Sequence, residues 1–458
     1  MKKIIVVLFL MIGFRCFSQQ ELFPKGSRVC FVGNSITNNG EFYHNIYLYY
    51  VTRFPQLPVT FFNCGISGDV TGGILQRMDN DILVNNPTHA VIMIGMNDVN
   101  RGLYGIISTN NLDTLSKRTA ALEGYNKNLD SIVRLFLSKG IQVILQKPTI
   151  FDQTAKIPVE NHLGVNDALK KCADFGEFLA NKYHLKAIDY WSILQNINTA
   201  LQQKDSTATI IGPDRVHPGA PGHLIMAYQF LKTMGLPKKV SNIEIDVKKA
   251  KGRFSKFGNE TAEIYNFVTN DTLLKFDVKE SSLPFPTVSS QAQALNLVPF
   301  VDDFNQQIFV VKNLKKGNYT FYIDTVWVGN FSSKDLEEGV NLALYPQTPQ
   351  YQQALKVRDE LSKLWKAEAD LRTIQYVEIK FLRNFANSNN LEAVKIYLDD
   401  LYAKKLAPTK YYKLQFDKYG LVKPMQQELE KTVIFQQETA YILAKPITHL
   451  FKIVLKTN

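Results

Sequence analysis

The sequence predicts a doubly wound α/β parallel sheet over roughly residues 26–237, followed by a β-rich part and then a helical part. Three observations predict it: short apolar runs without polar alternation, longer amphipathic segments between them, and a change of pattern after "GLPKK". Val- and Ile-rich continuous runs suit parallel strands covered on both faces, and strand–helix alternation implies right-handed βαβ units. In such sheets ligands bind at the carboxyl ends of the strands.

The chain opens on Lys2 and Lys3, the apolar run "IIVVLFLMIGF" and then "RCFSQQ". The run is too short to span a bilayer, and the pattern reads as a secretory signal, residues 1–18, cut after Ser18. Cys16 as a lipid-attachment cysteine ranks second, because Arg15 precedes it. No later segment is apolar enough to cross a membrane. The strand candidates follow in order: "RVCFVG", "PVTFFNCG", "HAVIMIG", "IQVILQ" and "LKAIDYW". Helical periodicity covers 41–53, 70–84, 119–139, 162–184 and 220–234. These elements make up a domain over 19–240.

Residues 241–345 hold short β-like runs ("IEIDV", "TLLKFDV", "QQIFVV", "YTFYIDTVWV") with turns such as "KKGNY", and read as a small β-sandwich. Residues 346–458 read as mainly helical. Thr348 stands where it can cap a long helix, and Pro349 suits the first helical position. Helical patterns continue over 391–434, and the final "HLFKIVL" reads as a strand returning to the sandwich.

With 458 residues, 45% apolar and 21% charged, the chain is long enough for two or three domains with full cores and lacks the composition of disorder. Removing Lys2, Lys3 and Arg15 lowers the formal charge from +11 by three, to +8. That surplus is spread evenly, which suits an anionic envelope or polysaccharide setting and gives no argument for nucleic acid. After the signal is removed Cys30, Cys64 and Cys172 remain, an odd number without metal spacing, and all three read as small core residues.

The chemistry-bearing residues sit where these elements end. Ser35 follows the first strand in "VCFVGNSITNNG"; a free serine hydroxyl is a poor nucleophile and needs a base. "PDRVHPGAPGH" supplies Asp214 and His217 three residues apart, so the carboxylate can hold one imidazole nitrogen while the other faces the serine. His223 is the rival histidine and reads as structural. Gly68 in "NCGISGD" and Asn97 in "IMIGMND" stand after the second and third strands, where a backbone N–H and a side-chain amide can receive an oxyanion together with the Ser35 N–H. Asp69 and Asp98 read as caps or loop-holding groups.

These four blocks, "FVGNSIT", "GISGD", "IGMND" and "DRVHPG", resemble those of the SGNH family of GDSL-type hydrolases over residues 26–237. The resemblance implies a flavodoxin-like sheet and a serine-ester mechanism with no metal and no cofactor. It carries over Ser35 as nucleophile, His217 as base, Asp214 as its acid partner, and Gly68 and Asn97 as oxyanion donors. Asn34 departs from the family's usual Asp at a position not expected to do chemistry.

Substrate choice is expected in the loops 100–118 and 148–161, with Arg101, Tyr104 and Phe151 as candidate sugar contacts. No apolar lid is evident. The expected function is therefore a secreted or periplasmic esterase removing small acyl groups, acetyl above all, from a carbohydrate or cell-wall glycan. A lipase, lysophospholipase or thioesterase of the same fold is the alternative within the enzyme class. A non-catalytic glycan-binding or assembly protein is the alternative outside it. The aromatic residues of the second half, Trp327, Trp365, Tyr319 and Tyr322, are expected mostly in the core.

Overall fold

The computed structural model describes residues 23–105, 111–249, 256–259, 261–406 and 409–456. The expected signal segment 1–18, with Cys16, lies outside the described residues. Five parallel strands, β1 (Arg28–Gly33), β2 (Thr60–Gly65), β3 (His89–Met93), β4 (Gln142–Gln146) and β5 (Lys186–Ile188), form one sheet in the order β2-β1-β3-β4-β5. This is the flavodoxin-like order, and its topological switch point lies between β1 and β3. Alternate side chains of the same strand feed two cores, as the two-residue repeat of a strand requires. Val29 and Phe31 of β1 enter one core, and Cys30 and Val32 enter the other.

The helices of this layer are α1 (Ser35–Asn39), α2 (Glu41–Arg53), α3 (Thr71–Arg77), α4 (Leu112–Ser138), α5 (Val165–Tyr183), α6 (Tyr190–Gln202) and α7 (Ala220–Thr233). Residues of α2, α6 and α7 pack on one face of the sheet, and those of α3, α4 and α5 on the other. Three expectations need correction. Helix α4 starts at Leu112 rather than 119 because the Asn111 side chain caps it, accepting the Thr114 amide at 2.8 Å. Hence 112–118 is helix and not part of a long loop. The segment expected as one helix over 70–84 is α3 followed by a π-helical turn (Met78–Ile82) and a 3-10 turn (Leu83–Asn85). Helix α6 falls where the sequence pattern predicts no helix; Asp189 follows the strand and caps the helix by accepting the Ser192 amide at 2.9 Å.

The second half contains a three-stranded sheet, β13-β10-β6, built from β6 (Lys239–Asp246), β10 (Gln306–Lys312) and β13 (Val340–Asn341). Facing it is a six-stranded sheet of order β12-β11-β14-β9-β8-β7. Its strands are β7 (Lys256–Asn259), β8 (Ala262–Thr269), β9 (Leu273–Glu280), β11 (Asn318–Ile323), β12 (Val326–Ser332) and β14 (Thr448–Leu455). Ile243, Ile245, Phe309 and Val311 from the first sheet share one core with Ile264, Phe276, Phe321 and Phe451 from the second, so the pair is a β-sandwich. The last strand of the chain, β14, lies inside the sheet between β11 and β9, antiparallel to both. Tyr319 is buried there as expected, whereas Trp327 stands on the outer face and is 51% exposed.

Three short helices, α8 (Ala292–Leu295), α9 (Phe300–Phe304) and α10 (Ser333–Glu338), precede the helical layer. That layer comprises α11 (Pro349–Val377), α12 (Leu391–Leu401), α13 (Lys410–Val422) and α14 (Gln426–Leu443). Pro349 occupies the first turn of α11, but the Thr348 hydroxyl donates back to the Tyr345 carbonyl at 2.9 Å instead of capping the helix.

Helices α11 and α14 cover β2, the strand at the end of the parallel sheet. An edge strand carries unpaired backbone groups that must be satisfied or shielded. Here the Tyr441 hydroxyl accepts the Val59 N–H at 3.0 Å just before β2, and Glu368 accepts the Asn63 N–H at 2.8 Å. The Arg372 guanidinium donates to the Gly65 carbonyl at 3.1 Å. Trp365 of α11 also stacks on His44 of α2, with ring centroids 4.3 Å apart. The helical layer thus completes the sheet that carries the functional loops.

Candidate active site

The first loop begins where β1 ends. A Cβ on Gly33 would lie 2.3 Å from the Thr37 hydroxyl and 2.4 Å from the Met93 carbonyl, so glycine alone lets α1 turn this tightly against β3. Asn34 is buried, and its side-chain oxygen accepts the Ile36 amide at 3.1 Å. The residue at this departure from the family pattern is therefore a helix cap. Ser35 follows as the first residue of α1, a position whose amide has no partner within the helix.

His217 reaches Ser35 from the loop before α7. Its Nε2 lies 2.7 Å from the Ser35 hydroxyl oxygen, and its Nδ1 lies 2.5 Å from Asp214 Oδ2. With the carboxylate accepting at Nδ1, Nε2 is left to accept the serine proton. The other Asp214 oxygen accepts the amides of Val216 and His217, each at 3.0 Å. Burial pushes the Asp214 carboxyl up, but these hydrogen bonds and the imidazole outweigh it and hold its pKa below the usual carboxylate value. The loop is closed by Gly212, whose N–H donates to the His217 carbonyl at 2.6 Å.

Arg215 lies between Asp214 and His217 in the same loop. Its φ is +66°, unusual for a side chain of this size. The guanidinium, buried, donates to the carbonyls of Asp152, Ala155, Ile157 and Val159 at 2.9 to 3.2 Å. Those bonds tie the 148–161 loop to the loop bearing His217 and offset the cost of the backbone conformation, about 1–3 kcal/mol. The rival histidine, His223, is buried with its ring parallel to Phe42 at 6.3 Å, and burial pushes its pKa down to about 3. It is a neutral core residue.

The loops after β2 and β3 meet through Asp69. Gly68 has φ +71°, a left-handed conformation that favours glycine, and its N–H finds no protein acceptor among the described residues. The Asn97 amide donates one hydrogen to the Asp69 carbonyl at 2.9 Å, which orients the group and leaves its second N–H free to donate. The Ile66 amide donates to the Gly33 carbonyl at 3.0 Å, and Asn38 donates to the Ser67 hydroxyl at 3.0 Å. The loop after β2 is thereby cross-linked to the one that bears Ser35, and the loop after β3 is tied to it through Asp69. Asp98 holds the start of α3, accepting the Thr71 amide at 2.8 Å and hydroxyl at 2.6 Å.

The candidate sugar contacts fare differently. Phe151 is 1% exposed and packed in the core beneath the loop, so neither face of its ring is open to a ligand. Tyr104 is 8% exposed and lies under the Arg118 guanidinium, 4.4 Å from the ring centroid. Both rings are packed against the protein rather than presented to solvent. Arg101 sits half-buried in the turn Arg101–Leu103.

A sequence model of the GDSL-like lipase/acylhydrolase family matches residues 31–225. Residues 31–225 are a GDSL-like lipase/acylhydrolase domain. The GDSL-like domain is 26% identical to an acetylxylan esterase of Geobacillus stearothermophilus over 228 residues, which is 46% of this chain and 95% of that protein. The crystal structure of an acetylxylan esterase from the same organism covers 47% of this chain and 96% of its own at 23% identity, with a TM-score of 0.38. A gut microbial diltiazem-metabolizing enzyme resembles the whole molecule: TM-score 0.84 and 28% identity over 95% of this chain and 98% of that one. The likeness to that enzyme therefore extends through the sandwich and the helical layer.

Proposed function

We propose that the protein is a serine esterase that removes small acyl groups, acetyl above all, from a carbohydrate or cell-wall glycan through an acyl-enzyme. The observation that carries this reading is the continuous relay from Asp214 through His217 to the Ser35 hydroxyl, 2.5 and 2.7 Å per step. Ser35 Oγ attacks the ester carbonyl carbon while His217 Nε2 takes its proton. The oxygen that gains negative charge is received by the Gly68 N–H, the Asn97 amide and the Ser35 N–H. The C–O bond to the alcohol then breaks, with His217 returning the proton to the leaving oxygen. Water repeats the sequence on the acyl-enzyme, with His217 as base, and releases the acid and free Ser35.

The half-exposed side chains of His217 and Asp214 mark an open crevice, suited to a bulky polymer bearing a small acyl group. The similarity to an acetylxylan esterase favours the acetyl group and a glycan. The likeness over nearly the whole chain to a diltiazem-metabolizing enzyme favours a second reading, an esterase acting on small-molecule esters. Release into the envelope or medium through the 1–18 segment belongs to the first reading. Among the described residues no helix is long and apolar enough to cross a membrane.

The test is acetate release from acetylated xylan, pectin and peptidoglycan, beside turnover of p-nitrophenyl acetate, p-nitrophenyl octanoate and diltiazem. Wild type is expected to act on acetyl esters and Ser35→Ala to lose roughly four to six orders of magnitude in kcat. Equal background in both proteins would favour the non-catalytic glycan-binding alternative. A preference for octanoate would replace the acetyl reading with a lipase, and activity on diltiazem alone would favour the small-molecule reading.

A further inference from the structure

The oxyanion donors are held in place from the far end of the chain. Asp69, next to Gly68, is buried and bonded on every side. Its carbonyl accepts the Asn97 amide at 2.9 Å, its Oδ2 accepts Arg77 Nε at 2.8 Å, and its Oδ1 accepts Lys380 Nζ at 3.0 Å. A Cβ on Gly73 would lie 1.9 Å from Asp69 Oδ1, so the carboxylate sits hard against the first turn of α3. Behind it, Arg77 also donates to Asp81 and to the Gly33 carbonyl. Asp81 is gripped by Arg372 at 2.6 and 3.1 Å.

Three cations therefore converge on two carboxylates, and two of the three come from the helical layer, Arg372 from α11 and Lys380 from the π-helical turn (Glu378–Leu382) that continues it. Buried ion pairs return little net stability, because desolvation consumes most of the Coulomb gain. A cluster of this kind is thus poorly explained as a stabilising device, yet it fixes the loop that carries Gly68 and, through the Asp69 carbonyl, the Asn97 amide of the neighbouring loop. Lys380 is its least buried member, with 29% of its side chain exposed. It can be changed without opening the core.

We propose that Lys380 is a positioning residue of the ester-hydrolysing site. By holding the Asp69 carboxylate it sets the carbonyl that orients Asn97 and the backbone turn that presents the Gly68 N–H. On this inference, which rests on the esterase reading, the helical layer is part of the catalytic apparatus rather than an appendage. Small displacements of a positioned group cost rate out of proportion to their size.

The experiment compares wild type, Lys380→Met, Lys380→Gln, Lys380→Arg and Lys413→Met on p-nitrophenyl acetate. The last removes an exposed ion-pair partner elsewhere in the helical layer. Lys380→Met is expected to lower kcat roughly 10-fold with KM within about two-fold of wild type. Lys380→Arg is expected to recover at least half of the lost rate, and Lys413→Met to match wild type. Affinity for an arylboronic acid, whose tetrahedral serine adduct mimics the oxyanion, is expected to fall by the same factor as kcat. Should the Met variant fail to fold, the Gln variant makes the same comparison. Unchanged kcat per folded molecule, or a loss of kcat not matched in boronate affinity, would overturn the proposal. Absence of Ser35-dependent turnover in wild type would remove the esterase reading and this one together. Normal wild-type turnover with an indifferent Lys380 variant would remove this one alone.

Discussion

The two sides of the candidate active site are built on opposite plans. On the base side, Asp214 and His217 lie three residues apart and hydrogen-bond within their own loop, with 51% and 40% of their side chains exposed. On the proposed oxyanion side, Asp69 adjoins Gly68 and accepts from Asn97 through its carbonyl, and its buried carboxylate has cationic partners at 77 and 380. A local arrangement in water can re-form after disturbance, and water can replace a lost partner. A buried arrangement spanning the chain can do neither, because a removed partner leaves a charge without solvent. The oxyanion side should therefore be the more sensitive of the two.

The largest effect that sharpens this contrast is expected from Asn97→Ala, which should lose roughly 10²–10³ in kcat with KM little changed in steady-state assays. Asp214→Ala should cost less than that, and fall well short of the roughly 10⁴-fold loss that a buried triad carboxylate carries, because solvent reaches the imidazole nitrogen it leaves bare. A greater loss from Asp214→Ala than from Asn97→Ala would break the comparison. The depressed Asp214 pKa adds a sign. A carboxylate whose folded pKa lies below its unfolded value contributes stability that is complete above the unfolded value and lost as pH falls through the folded one. The urea-unfolding difference between wild type and Asp214→Ala should accordingly be flat from about pH 8 to 5 and shrink below about pH 4.

Glu368 shows the opposite sign. It is buried between α11, Tyr43 and the Asn63 amide, and burial raises its pKa to about 7. An acid with a raised folded pKa destabilises increasingly as pH rises from its unfolded value to its folded one. Glu368→Gln should therefore gain on wild type between pH 5 and 8, by at most about 3 kcal/mol in denaturant unfolding. A pH-independent difference would show that the carboxylate is solvated. The smallest effect is expected from Tyr441→Phe, which leaves the Val59 amide at the covered edge without its acceptor. It should cost about 1 kcal/mol of stability and leave kcat unchanged.

The parallel sheet was legible because each strand is a continuous apolar run that stops at a polar turn, and the candidate catalytic residues sit in those turns. Ser35, Asn97, Asp214 and His217 could be named as candidates for that reason. The start of α4 and the existence of α6 were not legible, since each turns on one capping side chain, Asn111 and Asp189. Arg215 lay inside a recognised block, yet its role depends on four carbonyls of another loop.

Glu368 and Arg372 lie four residues apart on α11, a spacing at which opposite charges can pair along a helix surface. In the folded protein they face separate partners, Glu368 meeting Tyr43 and Asn63 and Arg372 meeting Asp81. What the residues determine by themselves is local: where strands end, which turn demands glycine, and which imidazole has a carboxylate within reach along one loop. Only the tertiary structure decides which distant charge enters the interior. Burial multiplies the strength of an ion pair and the cost of leaving it unmade, and burial is a property of the packed layers, not of any one segment.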